Sequence, residues 1–316
     1  MEQNGTAGMD QKNSTLEGAI VKDLQDPLFL IFYVPMGIVT VAMVMSITAI
    51  VIILKSAKNR ATMTAKIVIG QSVTMFVGFL FINLILAFLR HLLDNSMGML
   101  GFTLFISTIY VSIALLGSFY LSSHFWLNIL CFDVFYNFRN VENNPSNVPR
   151  GSTKCRFAMY CLYAILLPLV LVYTSTAFMF QQEKDPSEKT SPNTTLAGFL
   201  TFVVPVLILN ATNFYFIFTT RRNISKMREE MKSFDGDSGK EEAISKTWLT
   251  TKMLLMTLCI SLVFEAIIII GLCFDLPPNV VFLIGIFIFI ICVLRGLTAT
   301  IVYVCFFGKK ERDLMI

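Results

Sequence analysis

Twenty-seven consecutive residues, LFLIFYVPMGIVTVAMVMSITAIVIIL, run from Leu28 to Leu54 without a charged side chain. The hydrocarbon core of a bilayer, roughly 30 Å thick, needs about 20 apolar residues per helix. One such run could be buried in a large soluble core, but six more follow, at 67–89, 103–131, 157–180, 197–219, 253–274 and 280–307. Glu265 interrupts the sixth and Arg295 the seventh, and CFDLPPN is the only connector between those two. Its paired prolines make a sharp break, because proline cannot continue a helix without losing a hydrogen bond. Only 15% of the chain is charged, against about a quarter in soluble domains, and mean hydropathy is +0.69. The expected fold class is an all-α membrane protein, a seven-transmembrane helix bundle over residues 28–307. A short tail (1–27), a third inner loop (220–252) and a terminal tail (308–316) complete the expected organisation.

Lys and Arg collect in the short loops on the cytoplasmic side of a membrane. With the N-terminus outside, nineteen fall inside, eight of them between Arg221 and Lys252, and five fall outside. The expected orientation is therefore N-terminus out and C-terminus cytoplasmic. Glycosylation sequons give an independent check. Those at Asn4, Asn13 and Asn193 fall outside in this arrangement; those at Asn210 and Asn223 fall where they could not be used. The first 27 residues are polar and show no apolar signal core, so the first span is expected to act as its own insertion signal.

The seven cysteines all fall in spans or at their edges, which argues against an outer disulfide framework. With two histidines and no paired ligand spacing, a metal site is not expected. No phosphate-binding glycine loop, serine nucleophile elbow or convergent catalytic set is present. No cofactor, catalysis or nucleic-acid partner is expected. Seven spans without an internal repeat speak against an inverted-repeat transporter. No arginine ladder or filter-like loop marks a channel.

Polar residues inside the spans are the candidate functional positions, since they are costly in lipid and usually face the bundle interior. Glu265 and Arg295 are the two charges, and helical rise leaves them about 9 Å apart in depth. An ion pair between helices six and seven is one expectation; separate contacts with water or backbone are the other. Asn83, Asn128, Asn210 and Asn213 are amides at membrane depth, suited to cross-linking helices. His124 and Asn128 are four residues apart and share a helix face, as do Asp133 and Asn137. Asp133 and Arg139 are expected at the cytoplasmic interface as solvated charges. Arg221, Arg222 and Lys226 begin a basic helical extension of the fifth span. Met227 and Met231 form a face that could receive a partner helix or lie solvated. Pro35 and Pro168 are expected kinks, tolerated where neighbouring helices satisfy the freed carbonyls.

Four segments in order carry a family resemblance. Phe125 to Asn128, then Phe132-Asp133 and Phe135-Tyr136, form the first. RFAMYCLYAILLPLVL (156–171), KMLLMTLCISLVFEAIIII (252–270) and ICVLRGLTATIVYVCFFGKKER (291–312) are the others. Together they resemble the secretin-like receptors, and within them the Methuselah group. The chain departs from that pattern where Arg295 replaces a glutamine, where Ile165 stands near an expected tryptophan, and in having no outer cysteines. It also carries 27 residues where the group has a large ectodomain, so ligand recognition by an ectodomain does not transfer.

The resemblance implies a G protein-coupled receptor of the plasma membrane. Its partners would be a heterotrimeric G protein, an unidentified extracellular ligand, membrane lipids and, in a receptor dimer, a second copy. In that reading His124, Asn128, Glu265, Arg295, Asn83 and Asn210 form core polar contacts. Asp133, Arg139, Arg221, Arg222 and Lys226 face the transducer. The competing readings are a short chemosensory receptor of the bitter-taste type, a channel or transporter subunit, and a non-signalling scaffold.

Overall fold

The computed structural model describes residues 33–55, 63–94, 99–143, 153–182, 203–232 and 238–273, all of them helical. We number the helices α1 (Tyr33–Lys55), α2 (Met63–Asp94), α3 (Met99–Asn143), α4 (Thr153–Gln182), α5 (Val204–Lys232) and α6 (Ser238–Cys273). Among the described residues, four stretches are long and apolar enough to cross a membrane: Tyr33–Lys55, Met63–Leu93, Thr103–Arg139 and Lys154–Thr176. A shorter apolar stretch, Thr247–Val263, lies in α6. The expected seventh span, Arg295, the CFDLPP segment after Cys273 and the sequons at Asn4, Asn13 and Asn193 lie outside the described residues.

Residue sorting within the helices shows what surrounds them. On α4 the buried positions are Ala164, Pro168, Val172 and Ser175, spaced three or four apart on one face. The opposite face exposes Met159, Leu162, Leu166, Leu169, Val170 and Tyr173. On α1 the same holds, with Ala42, Ser46 and Ala49 inside and Val41, Val44 and Ile47 outside. A water-facing helix would present its polar residues outward. Here the outer face is the larger and more apolar one, as lipid contact requires, and the architecture is that of a helical membrane bundle. Ser46, Thr48, Thr74 and Thr108 donate to carbonyls four residues back, within their own helices. Each hydroxyl is thereby satisfied without reaching for water.

α3 is the hub. It packs against α2, α4, α5 and α6, while α2 also meets α4 and α5 meets α6. Every residue from Leu121 to Cys131 is buried, so this segment is enclosed on all sides. At 45 residues α3 is about 67 Å long, more than twice the hydrocarbon core, and it reaches well past the expected span end at 131. Its C-terminal half forms the main core with Ala65, Ile67 and Val68 of α2, Ala164 of α4, and Met253, Leu254 and Leu258 of α6.

Close approach of α2 to α3 depends on two glycines. A methyl group on Gly70 would lie 2.6 Å from the Trp126 ring, and one on Gly78 would lie 2.7 Å from Phe119. Small residues at helix crossings allow such contact where lipid offers no hydrophobic drive for association. α1 joins α2 through Val39, Ala42, Met75 and Phe79. Asn83 donates to Thr40 Oγ1 at 3.2 Å, and Arg90 stacks over Tyr33 at 4.3 Å.

Pro168 sits within α4, which continues through it. Proline has no N–H, so the carbonyl of Ala164, one turn back, loses its partner in the helix. Ser122 of α3 donates to that carbonyl at 2.7 Å. Pro35, the other expected kink, is the third described residue of α1, and the residue one turn before it lies outside the described residues.

The stretch expected as a loop, 220–252, is helical apart from 233–237, which lie outside the described residues. α5 continues to Lys232 and α6 begins at Ser238. Phe138, Ile224 and Ile244 form a small apolar core between these extensions and α3, with Met227 and Trp248 packed on it. Met227 is therefore turned to the chain's own core, which leaves less of the expected partner-binding face.

Candidate functional site

Because α3 is buried from Leu121 to Cys131 and again at Asp133, the polar side chains there must be met by protein. The partners come from three different helices at successive depths. His124, Asn128 and Asp133 are spaced by four and five residues, about 6 and 7.5 Å along the axis.

At the first level, His124 Nδ1 lies 3.5 Å from Glu265 Oε1 of α6, and its ring packs edge-on against Tyr120 at 4.8 Å. Glu265 is 5% exposed. Ser261, one turn before it, donates to Oε1 at 2.7 Å, and the Asn210 amide of α5 donates to Oε2. The carboxylate is thus held by an imidazole, a hydroxyl and an amide from three helices. Arg295, one expected partner of Glu265, lies outside the described residues.

At the second level, Asn128 Nδ2 donates to Asn213 Oδ1 at 2.9 Å and to Thr212 Oγ1 at 3.1 Å, both on α5. Tyr163 of α4 approaches Asn128 Oδ1 at 3.5 Å. Around this level Trp126 is fully buried against Gly70 and Phe157.

The third level departs from expectation. Asp133 was expected as a solvated interfacial charge, but it is fully buried. Arg156 of α4 pairs with its Oδ1. Arg156 Nε also donates to Tyr160 OH at 2.8 Å, and Tyr160 approaches Asp133 Oδ1 at 3.4 Å. Asn137 donates to Asp133 Oδ2 at 3.0 Å and accepts from Arg156 at 3.3 Å. The guanidinium lies over the Tyr136 ring at 4.6 Å. The planar fork of arginine suits this set, since it offers several donors at fixed angles and a face for stacking. Asp133 therefore does not itself present a surface to a transducer; its partner Arg156 shields it. Phe132, Phe135, Tyr136, Tyr160 and Phe216 form the aromatic surround.

Arg139, Arg221, Arg222 and Lys226 are exposed at the same end of the bundle. Asn83 belongs elsewhere, at the α1–α2 contact, away from the α3 levels.

Sequence reasoning missed Arg156 as a site residue and counted it only as a loop cation. The signal was present as Arg156 and Tyr160 four residues apart at the start of α4. Ser122, Gly70 and Trp248 carried no signal that distinguishes them without a partner helix in place. Among the described residues, no group of three or more His, Cys, Asp or Glu side chains could hold a metal. No family model matches the chain, and no curated protein matches its sequence.

Proposed function

We propose that the chain is a seven-span receptor of the plasma membrane, with its N-terminus outside, passing an extracellular signal to a heterotrimeric G protein. The observation that supports this reading is the polar ladder on α3. It ties one central helix to α6, α5 and α4 at three depths and ends next to a cluster of exposed cations. A bundle needing only to persist could use apolar packing throughout, whereas groups exchanging partners across helices give two discrete arrangements. An outer stimulus would release His124 from Glu265, letting α5 and α6 part at their inner ends. The exposed cations Arg139, Arg221, Arg222 and Lys226 would then meet the transducer. The seventh span, with Arg295, would complete the bundle. The resemblance of four segments to Methuselah-like receptors agrees with this reading.

The test is G-protein activation in cells expressing the chain with a panel of chimeric transducers. Wild type and Glu265→Gln are compared at matched surface expression. The substitution is expected to raise ligand-free coupling by weakening the α3–α6 contact. Silence of both with every transducer, at normal surface levels, overturns the reading.

A further inference from the structure

The inner ends of α5 and α6 gather three cations on one indole ring. Arg221 and Arg228 are seven residues apart on α5, two turns and about 10 Å along one face. Trp248 of α6 packs with Ile224 between them. The guanidinium of Arg221 lies 5.2 Å from the ring centroid, that of Arg228 5.8 Å, and the ammonium of Lys252 5.2 Å. All three cations are exposed and the ring is half-buried.

The ring face attracts each cation, but the cations repel one another. Among the described residues no carboxylate lies within ion-pair distance of any of the three. The wider stretch 221–252 carries six acids beside its eight bases. Glu229 is exposed on α5 and does not pair with them. The cluster also lies at a fixed depth. Lys252 falls within the first turns of the apolar stretch Thr247–Val263, and Arg221 follows the apolar part of α5. Tryptophan and basic residues at such a boundary sit at headgroup level.

We propose that this cradle binds a polyanionic lipid headgroup, that of a phosphorylated phosphatidylinositol. Several phosphate groups on one ring can engage three converging cations together, which a single-charge headgroup cannot do. The inference needs only a membrane-embedded bundle and no signalling. Placing the site in the inner leaflet rests on the orientation proposed above, whereas binding in nanodiscs does not, so the two readings fail separately.

The test uses the full chain in phosphatidylcholine nanodiscs containing phosphatidylinositol bisphosphate, or phosphatidylserine at matched total charge. Retained lipid is counted by native mass spectrometry. Phosphatidylinositol bisphosphate is expected to be retained preferentially. Replacing Arg221, Arg228 and Lys252 by Gln is expected to weaken retention about fivefold for each cation removed. Replacing Lys55 and Lys154, outside the cradle, is expected to change little. Trp248→Leu, which frees the cations to separate, is expected to reduce the preference over phosphatidylserine. Equal retention of the two lipids by the wild-type chain overturns the proposal, and so does equal weakening by the control pair. Soluble inositol trisphosphate bound as tightly without the lipid assigns the site to a soluble anion and overturns the lipid reading. The wild-type lipid comparison decides the matter even if a variant fails to fold.

Discussion

Asp133 and Glu265 are both carboxylates buried at contacts of α3, yet they are held in different ways. Asp133 meets a guanidinium, which is charged at any physiological pH, together with a phenol and an amide. Glu265 meets an imidazole, which carries charge only when protonated, together with a hydroxyl and an amide. The first arrangement sets a cation beside the carboxylate, and its arginine reaches the surface, with its side chain 30% exposed. The second is closed, with the His124 side chain fully buried and that of Glu265 7% exposed. Removing one member of a buried pair leaves the other charge in a medium that solvates it poorly. A carboxylate among neutral donors can lose its charge with less disturbance. The Asp133 node is therefore suited to fixing α3 against α4, and the Glu265 node to changing state.

The largest effect that separates the two nodes is expected from Arg156→Met. It strands Asp133 and is expected to cost about 3 kcal/mol, within the range for broken buried pairs. Thermal unfolding in nanodiscs measures it, and adding Asp133→Asn should recover much of the loss. A loss unchanged in the double variant would mean that Arg156 acts through its ring stacking instead. Gly70→Ala comes next. It forces a methyl into the Trp126 ring at the level between the nodes and is expected to cost about 2 kcal/mol, as overpacking does. Full stability in that variant would show that α2 can move away from α3.

Ser122→Ala is expected to cost about 1 kcal/mol, since it strands the Ala164 carbonyl. In the background of Pro168→Ala the carbonyl regains an N–H from its own helix, and the cost of Ser122→Ala should shrink. Additive effects would rule out that coupling. The smallest expected effect is that of Glu265→Gln, below about 1 kcal/mol, because the amide keeps the shape and can still accept from Ser261. A loss as large as that of Arg156→Met would erase the contrast between the nodes.

The fold was largely legible where it depended on local composition. The runs at 67–89 and 157–180 lie inside α2 and α4, because apolar length is what a bilayer selects. The helix ends were less legible. α5 and α6 extend through much of the expected loop, since basic residues such as Arg221 and Lys226 are good helix formers that no apolar count detects. Of the candidate site, His124, Asn128, Asn210 and Glu265 were found because polar residues in apolar runs stand out. Asp133 was found but misplaced. Depth along the helix suggested solvent at its level, whereas Arg156 of α4 covers it.

The sequence alone determined that the chain builds long apolar helices, and it marked the polar positions within them that would need partners. Both follow from composition read over a turn or a span, and neither requires knowing what stands opposite. The tertiary structure decided which side chains meet. Glu265 reaches His124, Asp133 reaches Arg156, and Ser122 reaches the carbonyl left bare by Pro168. Such pairs join residues on different helices, where hydrocarbon gives no preference for one neighbour over another. Their choice rests on which small residues, Gly70 and Gly78 among them, let the helices close, and on which buried polar groups can be satisfied once they have.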